Sequence, residues 1–264
     1  MNDGVGRGMR ELLATRDVKI GHYVGEFATP GIGYILKAAG CDFVCFDMEH
    51  SGLGFETMRT VLRFAEAAGL ASMVRPPSKR SHDIARTLDI GAEALLMQMV
   101  GTAEEAREIV ASMKYPPKGK RGVITEHYYD RFAGGPVGAN LAAANQATAL
   151  FVLIETGQGV ANAEAIAAVD GVDCLYVGHV DLSVDLGIAG EYDHPRMVEA
   201  VTRVAGACRN SGKSFACTAD SVGRLEDMRR LGADFIFYGS DTLLLRDALA
   251  AGTGEIRRRL AALG

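Results

Sequence analysis

A single (β/α)8 barrel is the fold this sequence predicts, and three observations predict it. Eight short apolar runs recur along 264 residues, each followed by a helical pattern. The runs are continuous and do not alternate, as strands covered on both faces require. The first run lacks the Gly-rich phosphate turn that an open doubly wound sheet would carry, since Gly25-Glu26-Phe27-Ala28 stands there. A chain of this length can bury one large core, and no linker composition divides it, so one domain spanning 1–264 is expected.

The first strand is read at Val18 to Val24, with a helix from Thr29-Pro30 to Gly40; proline at a helix start and glycine at its end are the usual punctuation. The second strand is Phe43 to Phe46, and its helix runs from Gly54 to Gly69 with Met58, Val61, Leu62 and Ala65 on one side. The third strand, Ala71 to Val74, ends at Arg75-Pro76-Pro77, and a helix covers Ser81 to Leu88. Ala94 to Val100 is the fourth strand, followed by a capping box at Thr102-Ala103-Glu104-Glu105 and a helix to Met113. Tyr115 to Asn140 reads as one long irregular section. Strands at Ala149–Ile154 and Val172–Val177 flank a helix over Ala161–Val169. A helix at His194–Asn210, strands at Ser214–Thr218 and Asp234–Tyr238, and a helix between them at Val222–Leu231 complete the pattern. The tail from Asp247 contains a second helix, Glu255–Ala262, set off by Ala251-Gly252-Thr253-Gly254 and free to reach a neighbouring subunit.

Composition excludes several functions. A net charge of -5 with scattered basic residues offers no nucleic-acid surface, and the absence of Trp leaves few platforms for stacking bases. No apolar run approaches the roughly 18 residues a membrane span needs, and Met1 to Arg10 lacks the apolar core of a secretion signal. Five cysteines, odd in number and without zinc-type spacing, suit buried thiols in a reducing cytoplasm.

Chemistry is expected where apolar runs stop in polar groups, because strand C-termini converge on one face of a barrel. Phe46-Asp47-Met48-Glu49-His50 puts two acids and a histidine at one such end. Glu155 and Asp181 end two consecutive later strands, so their carboxylates fall side by side. Two hard oxygen ligands suit Mg²⁺ or Mn²⁺, with Co²⁺ as a further option, whereas zinc would favour His or Cys. Either acid alone would equally serve as a helix cap. His50 fits a general base, with a core or capping histidine as the alternative, and Asp47 or Glu49 would hold its tautomer. Arg75, fixed before Pro76-Pro77, suits a carboxylate or enolate oxygen, a solvated arginine being the alternative. His179 lies within reach of the metal pair as a substrate contact or third ligand. No lysine sits at a convergent strand end, so no Schiff base is indicated.

These residues make the chain resemble the 4-hydroxy-2-oxoheptanedioate aldolase and 2-dehydro-3-deoxyglucarate aldolase family, pyruvate-dependent class II aldolases. The stretches that carry it are Phe46 to His50, Val74-Arg75-Pro76-Pro77, Leu88-Asp89-Ile90-Gly91, Tyr115-Pro116-Pro117 with Arg121-Gly122-Val123, Ile154-Glu155-Thr156, Val180-Asp181-Leu182-Ser183 and Gly239-Ser240-Asp241-Thr242. The resemblance implies a barrel that exchanges C-terminal helices in a trimer or hexamer. It implies Glu155 and Asp181 as ligands of the divalent cation, His50 as the proton-transferring base and Arg75 as the enolate's partner. Asp89 is implied as the acid that acts on the histidine from an adjacent subunit, and the backbone at Val180 and Asp181 as the seat of the pyruvate carboxylate. Three positions depart from the family's pattern: Leu153 where Gln is common, His179 where Pro is usual, and the section from Ile124 to Asp130.

The reading is therefore a cytoplasmic, divalent-metal-dependent aldolase that splits 4-hydroxy-2-oxo acids into pyruvate, or a related 2-oxo acid, and an aldehyde. An oxaloacetate-type decarboxylase or a synthase on the same scaffold is the alternative, and a non-catalytic barrel the more distant one.

Overall fold

The computed structural model describes residues 8–125, 127–128, 131–219 and 222–263. Residues 1–7 and Glu126, Tyr129 and Asp130 of the long section lie outside the described residues. Eight parallel strands close into a barrel in sequence order: β1 (Lys19–Val24), β2 (Phe43–Asp47), β3 (Ala71–Arg75), β4 (Ala94–Met97), β5 (Ala149–Ile154), β6 (Cys174–Val177), β7 (Ser214–Ala219) and β8 (Phe235–Ser240). Pairing of β8 with β1 seals it.

Period-two alternation sorts the strand residues into two cores. Phe43, Cys45, Ala71, Met73, Ala94, Leu96, Phe151, Leu153, Tyr176, Ala216, Phe235 and Phe237 fill the barrel's interior. Val44, Phe46, Val74, Leu95, Val152, Leu175 and Cys217 face the helices. A slip of one residue would exchange these sets, and each buried Phe or Leu is worth about 1.5–3 kcal/mol, so register is strongly specified. A short helix, α1 (Met9–Leu13), plugs the floor with Met9 and Leu12. The Met9 N–H donates to Glu93 Oε2 at 2.7 Å, and Arg10 pairs with Asp173.

The outer helices are α2 (Ile32–Ala38), α3 (Phe55–Ala67), α4 (Ser81–Asp89), α5 (Ala103–Met113), α6 (Val137–Ala147), α7 (Gly157–Ala161), α8 (Ala163–Ala167), α9 (His179–Asp185), α10 (Pro195–Asn210), α11 (Val222–Arg230) and α12 (Asp241–Ala261). Five of these correct the sequence reading. The section read as irregular to Asn140 gives way to α6 at Val137, and the helix read over Ala161–Val169 is two short ones, α7 and α8, divided at Asn162. A helix not anticipated, α9, starts directly after β6. Ala251-Gly252-Thr253-Gly254 does not break the tail; α12 runs through it for 21 residues. Interior glycines cost about 1 kcal/mol each, and Arg258 and Arg259, both paired with Glu255, help offset that.

The last helix of a barrel ordinarily covers its final and first strands. Here Ile20 and Tyr238, on the outer face of β1 and β8, remain 41% and 50% exposed, and Leu243, Leu245, Leu249, Ile256 and Leu260 of α12 are exposed too. No helix among the described residues is long and apolar enough to cross a membrane.

Candidate active site

The same alternation that fills the interior delivers the site. Above Cys45 the next inward position on β2 is Asp47; above Met73 on β3 it is Arg75; above Leu153 on β5 it is Glu155. Register sets Asp47 abreast of Arg75 on adjacent strands. The resulting pair is bidentate, with Arg75 Nε donating to Asp47 Oδ1 at 2.8 Å and Nη2 to Oδ2 at 2.7 Å. Arg75 Nη1 lies 3.1 Å from Glu49 Oε2. Burial disfavours the guanidinium charge, but its hydrogen bonds to Asp47 more than compensate and raise its pKa. Its orientation is fixed by two acids, and it retains N–H donors for the cavity it lines.

That cavity, about 490 Å³, lies over the C-terminal ends of the strands and is walled by Tyr23, Arg75, Leu153, Glu155, Tyr176, His179, Asp181, Tyr192 and Thr218, among others. Its size suits a small substrate. A larger cavity of about 560 Å³ shares His179, Tyr192 and Thr218 with it but runs outward between α10 and α11 among Met197, Val201, Met228 and Leu231. The outer cavity lacks the arginine and the carboxylate pair, so the chemistry belongs to the smaller one.

Glu155 is buried at 4% exposure, and its Oε2 accepts the Met99 N–H at 2.9 Å. Gly178 follows directly on β6, one residue beyond the paired Ile154 and Val177, and the missing Cβ there leaves room for the carboxyl: an added Cβ would lie 2.6 Å from Oε1. Burial, foremost, and the charges of Asp181 and Glu49 push the Glu155 carboxyl up to about 7, against the Met99 N–H and Arg75, which lower it. Asp181 sits exposed in the first turn of α9. Neither acid is a helix cap: Thr156 accepts the Gly159 N–H before α7, and Gly178 precedes α9. Two carboxylates close enough to repel, one buried and aimed into a cavity, form an all-oxygen donor set that fits a hard divalent cation. Among the described residues no three His, Cys, Asp or Glu side chains cluster as a metal site, so water and substrate oxygens would supply the remaining positions.

The cavity brings together Arg75, Glu155, His179, Val180 and Asp181. His50 does not line it. It stands on the rim with its side chain 67% exposed, its Nε2 3.6 Å from Glu49 Oε2. The expectation that Asp47 or Glu49 fixes its tautomer is corrected: Asp47 is committed to Arg75 and accepts only the backbone N–H groups of Glu49 and His50, while Glu49 is beyond hydrogen-bond range. Asp89 closes α4 at the opposite, N-terminal end of the barrel, where Arg121 Nη2 bonds its Oδ1 at 2.5 Å. Within one chain it does not meet His50. His179 packs edge-on against Tyr192 with centroids 4.7 Å apart. Sequence reading missed Tyr23, Tyr176, Tyr192 and Thr218; strand parity signals two of them, since Tyr176 and Thr218 follow the inward Cys174 and Ala216 and meet at 2.6 Å.

Comparison with known proteins bears on this geometry. The chain is 35% identical over 236 residues to 5-keto-4-deoxy-D-glucarate aldolase of Shigella boydii serotype 18, covering 89% of this chain and 91% of that one. The crystal structure of an HpcH/HpaI aldolase from Desulfitobacterium hafniense superposes with a TM-score of 0.90 at 29% identity, over 95% of this chain and 96% of the other. The structure of the citrate synthase SbnG matches with a TM-score of 0.86 at 25% identity, over 96% and 98%. The family model for HpcH/HpaI aldolase/citrate lyase matches residues 23–248, from the first strand into the last helix. With β2 to β8, the cavity and the carboxylate pair inside that span, the chain belongs to the HpcH/HpaI aldolase/citrate lyase family.

Proposed function

We propose that this protein is a class II aldolase that cleaves a 4-hydroxy-2-oxo acid to pyruvate, or a related 2-oxo acid, and an aldehyde. The observation that carries the reading is the pairing of Glu155 and Asp181 across a cavity from an arginine locked by Asp47. Kinship supports it. Renumbered from its other carboxylate, the 5-keto-4-deoxy-D-glucarate of the relative's name is a 2-oxo-3-deoxy-4-hydroxy acid.

Glu155 and Asp181 would hold the divalent cation, Mg²⁺ or Mn²⁺ in this reading. When bound, such a cation supplies Lewis-acid stabilisation of negative charge on the substrate's 2-oxo group. Arg75 presents a rigid guanidinium to the oxygen on which that charge develops, and its locked geometry avoids reorganisation during the reaction. The first-turn amides at Val180 and Asp181 have no intrahelical acceptor and would receive the substrate carboxylate. His50, on the solvent side of the rim, would take the proton of the 4-hydroxyl; the C3–C4 bond breaks, its electrons pass to the C2 oxygen, and the aldehyde leaves. A proton returned to C3 gives pyruvate. Leu153, Leu96 and Phe237 supply apolar wall to the cavity, and Tyr176 and Thr218 line it with their hydroxyls joined at 2.6 Å.

Asp89 enters this scheme only through a neighbouring subunit. The uncovered face of β1 and β8 and the exposed leucines of α12 support exchange of that helix between copies, in a trimer or hexamer. We further place the protein in the cytoplasm, in keeping with five unpaired cysteines, four of them buried. Resemblance to the citrate synthase favours a second reading, a synthase or an oxaloacetate-type decarboxylase using the same enolate chemistry.

Pyruvate release from 4-hydroxy-2-oxo acids, followed before and after exhaustive chelation, tests the assignment. Loss on chelation with recovery on added Mg²⁺ or Mn²⁺ is expected; undiminished turnover without metal refutes it. An oxaloacetate preference of about 100-fold in kcat/KM, roughly 2.7 kcal/mol, would favour the second reading.

A further inference from the structure

The backbone that anchors Glu155 is itself under strain. Met99, whose N–H bonds Glu155 Oε2, sits at φ 52, a left-handed conformation that costs a non-glycine residue free energy and persists only where the surroundings impose it. Two side chains impose it here. Lys79 Nζ, from the segment that follows Arg75-Pro76-Pro77, donates to the Met99 carbonyl at 2.9 Å and to Glu105 Oε1 at 3.1 Å. The other oxygen of Glu105 accepts the Gly101 N–H at 2.7 Å. Lys79 and Glu105 thus clasp the turn 99–101 from both sides, and the turn in turn holds Glu155. None of the three clasping bonds touches the cavity.

We propose that Lys79 is a positioning residue for the cation site, acting through the Met99 turn on the Glu155 carboxylate; this rests on the reading of Glu155 as a cation ligand. Outer contacts of this kind typically change metal affinity by about 10- to 100-fold. The sign of the effect separates positioning from simple electrostatics. Lys79 carries a positive charge near a cation site, so removing that charge would by Coulomb's law alone tighten cation binding. Loss of the clasp predicts weakening instead. The ion pair with Glu105 is more than a third exposed on both sides, so it contributes little to global stability.

The test is Mn²⁺ titration of the chelator-stripped full-length protein by calorimetry, with Tm measured on the same samples. For Lys79→Met the Mn²⁺ Kd should rise about tenfold or more with Tm nearly unchanged, and Lys79→Arg, which can still donate to both acceptors, should recover most of the affinity. An unchanged or lower Kd in Lys79→Met, with wild type binding normally, overturns the proposal. Failure of the wild-type protein to bind Mn²⁺ at all instead overturns the cation reading of Glu155 on which it rests.

Discussion

Replacing Gly178 by alanine would insert one methyl group where the Glu155 carboxyl now lies. Gly178 has φ −80 and ψ 87, a backbone conformation open to alanine, so strain at residue 178 contributes little. The conflict is with the side chain across the strand pair. A Cβ would stand 2.5 Å from Glu155 Cγ, 2.6 Å from Oε1 and 3.0 Å from Cδ. Ordinary carbon contacts fall near 3.5–4.0 Å, so the carboxyl must retreat by roughly 1 Å. It cannot do so freely, since its other oxygen is held at 2.9 Å by the Met99 N–H and the residue is buried. A displacement of about 1 Å in a catalytic group costs about 10²-fold in rate, on the order of 2.7 kcal/mol. We expect Gly178→Ala to lower kcat/KM for pyruvate release from a 4-hydroxy-2-oxo acid by about that factor at saturating Mg²⁺, with Tm within a few degrees of wild type. A variant within threefold of wild-type kcat/KM would refute the claim that this carboxyl's position governs the reaction.

Two further outcomes follow from the geometry. Arg75→Lys keeps the charge but loses the bidentate grip on Asp47, and kcat/KM should fall by about 10²-fold or more; near-full activity would remove Arg75 from the site. Glu93, at the barrel floor, has its carboxyl pushed up to about 7, chiefly by burial, from an ordinary 4.5. The folded state therefore holds that proton more tightly than the unfolded chain. Its stabilisation is complete below pH of about 4.5 and is lost as pH rises through about 7. In denaturant titrations at pH 5 and pH 8, wild type should lose on the order of 2 kcal/mol more than Glu93→Gln, and parallel losses would contradict the assignment.

The barrel was legible because strands covered on both faces must be apolar throughout, and all eight runs fall on strands. The helices that escaped notice have a common physical cause. Only Ala144 and Asn145 of α6 are buried, and only Leu182 and Ser183 of the seven residues of α9, so neither shows an apolar period. In α12 the glycines of residues 251–254 suggested a break, yet a helix anchored at Ser240 and Asp241 and carrying paired charges near its end absorbs their cost. At the site, the ends of strands announced Arg75 and Glu155, whereas Asp181, expected to end a strand, lies in the first turn of α9 because a helix starts directly after β6. Partners could not be read the same way, because they depend on register. Asp47 looked like a companion for His50 from sequence spacing, but strand pairing sets it against Arg75. Gly178 carried no signal of its own, since its importance lies in the atoms its Cβ would displace.

Counting bound Mn²⁺ per chain is the most direct test of two neighbouring carboxylates, Glu155 just past β5 and Asp181 in the first turn of α9, sharing one ion. The stripped wild-type protein should take up one Mn²⁺ per chain at the site, and Glu155→Ala and Asp181→Ala, if folded to the wild-type circular dichroism spectrum, should each take up none at the same free concentration. A variant lacking either acid that still binds one ion per chain with wild-type affinity would contradict the account.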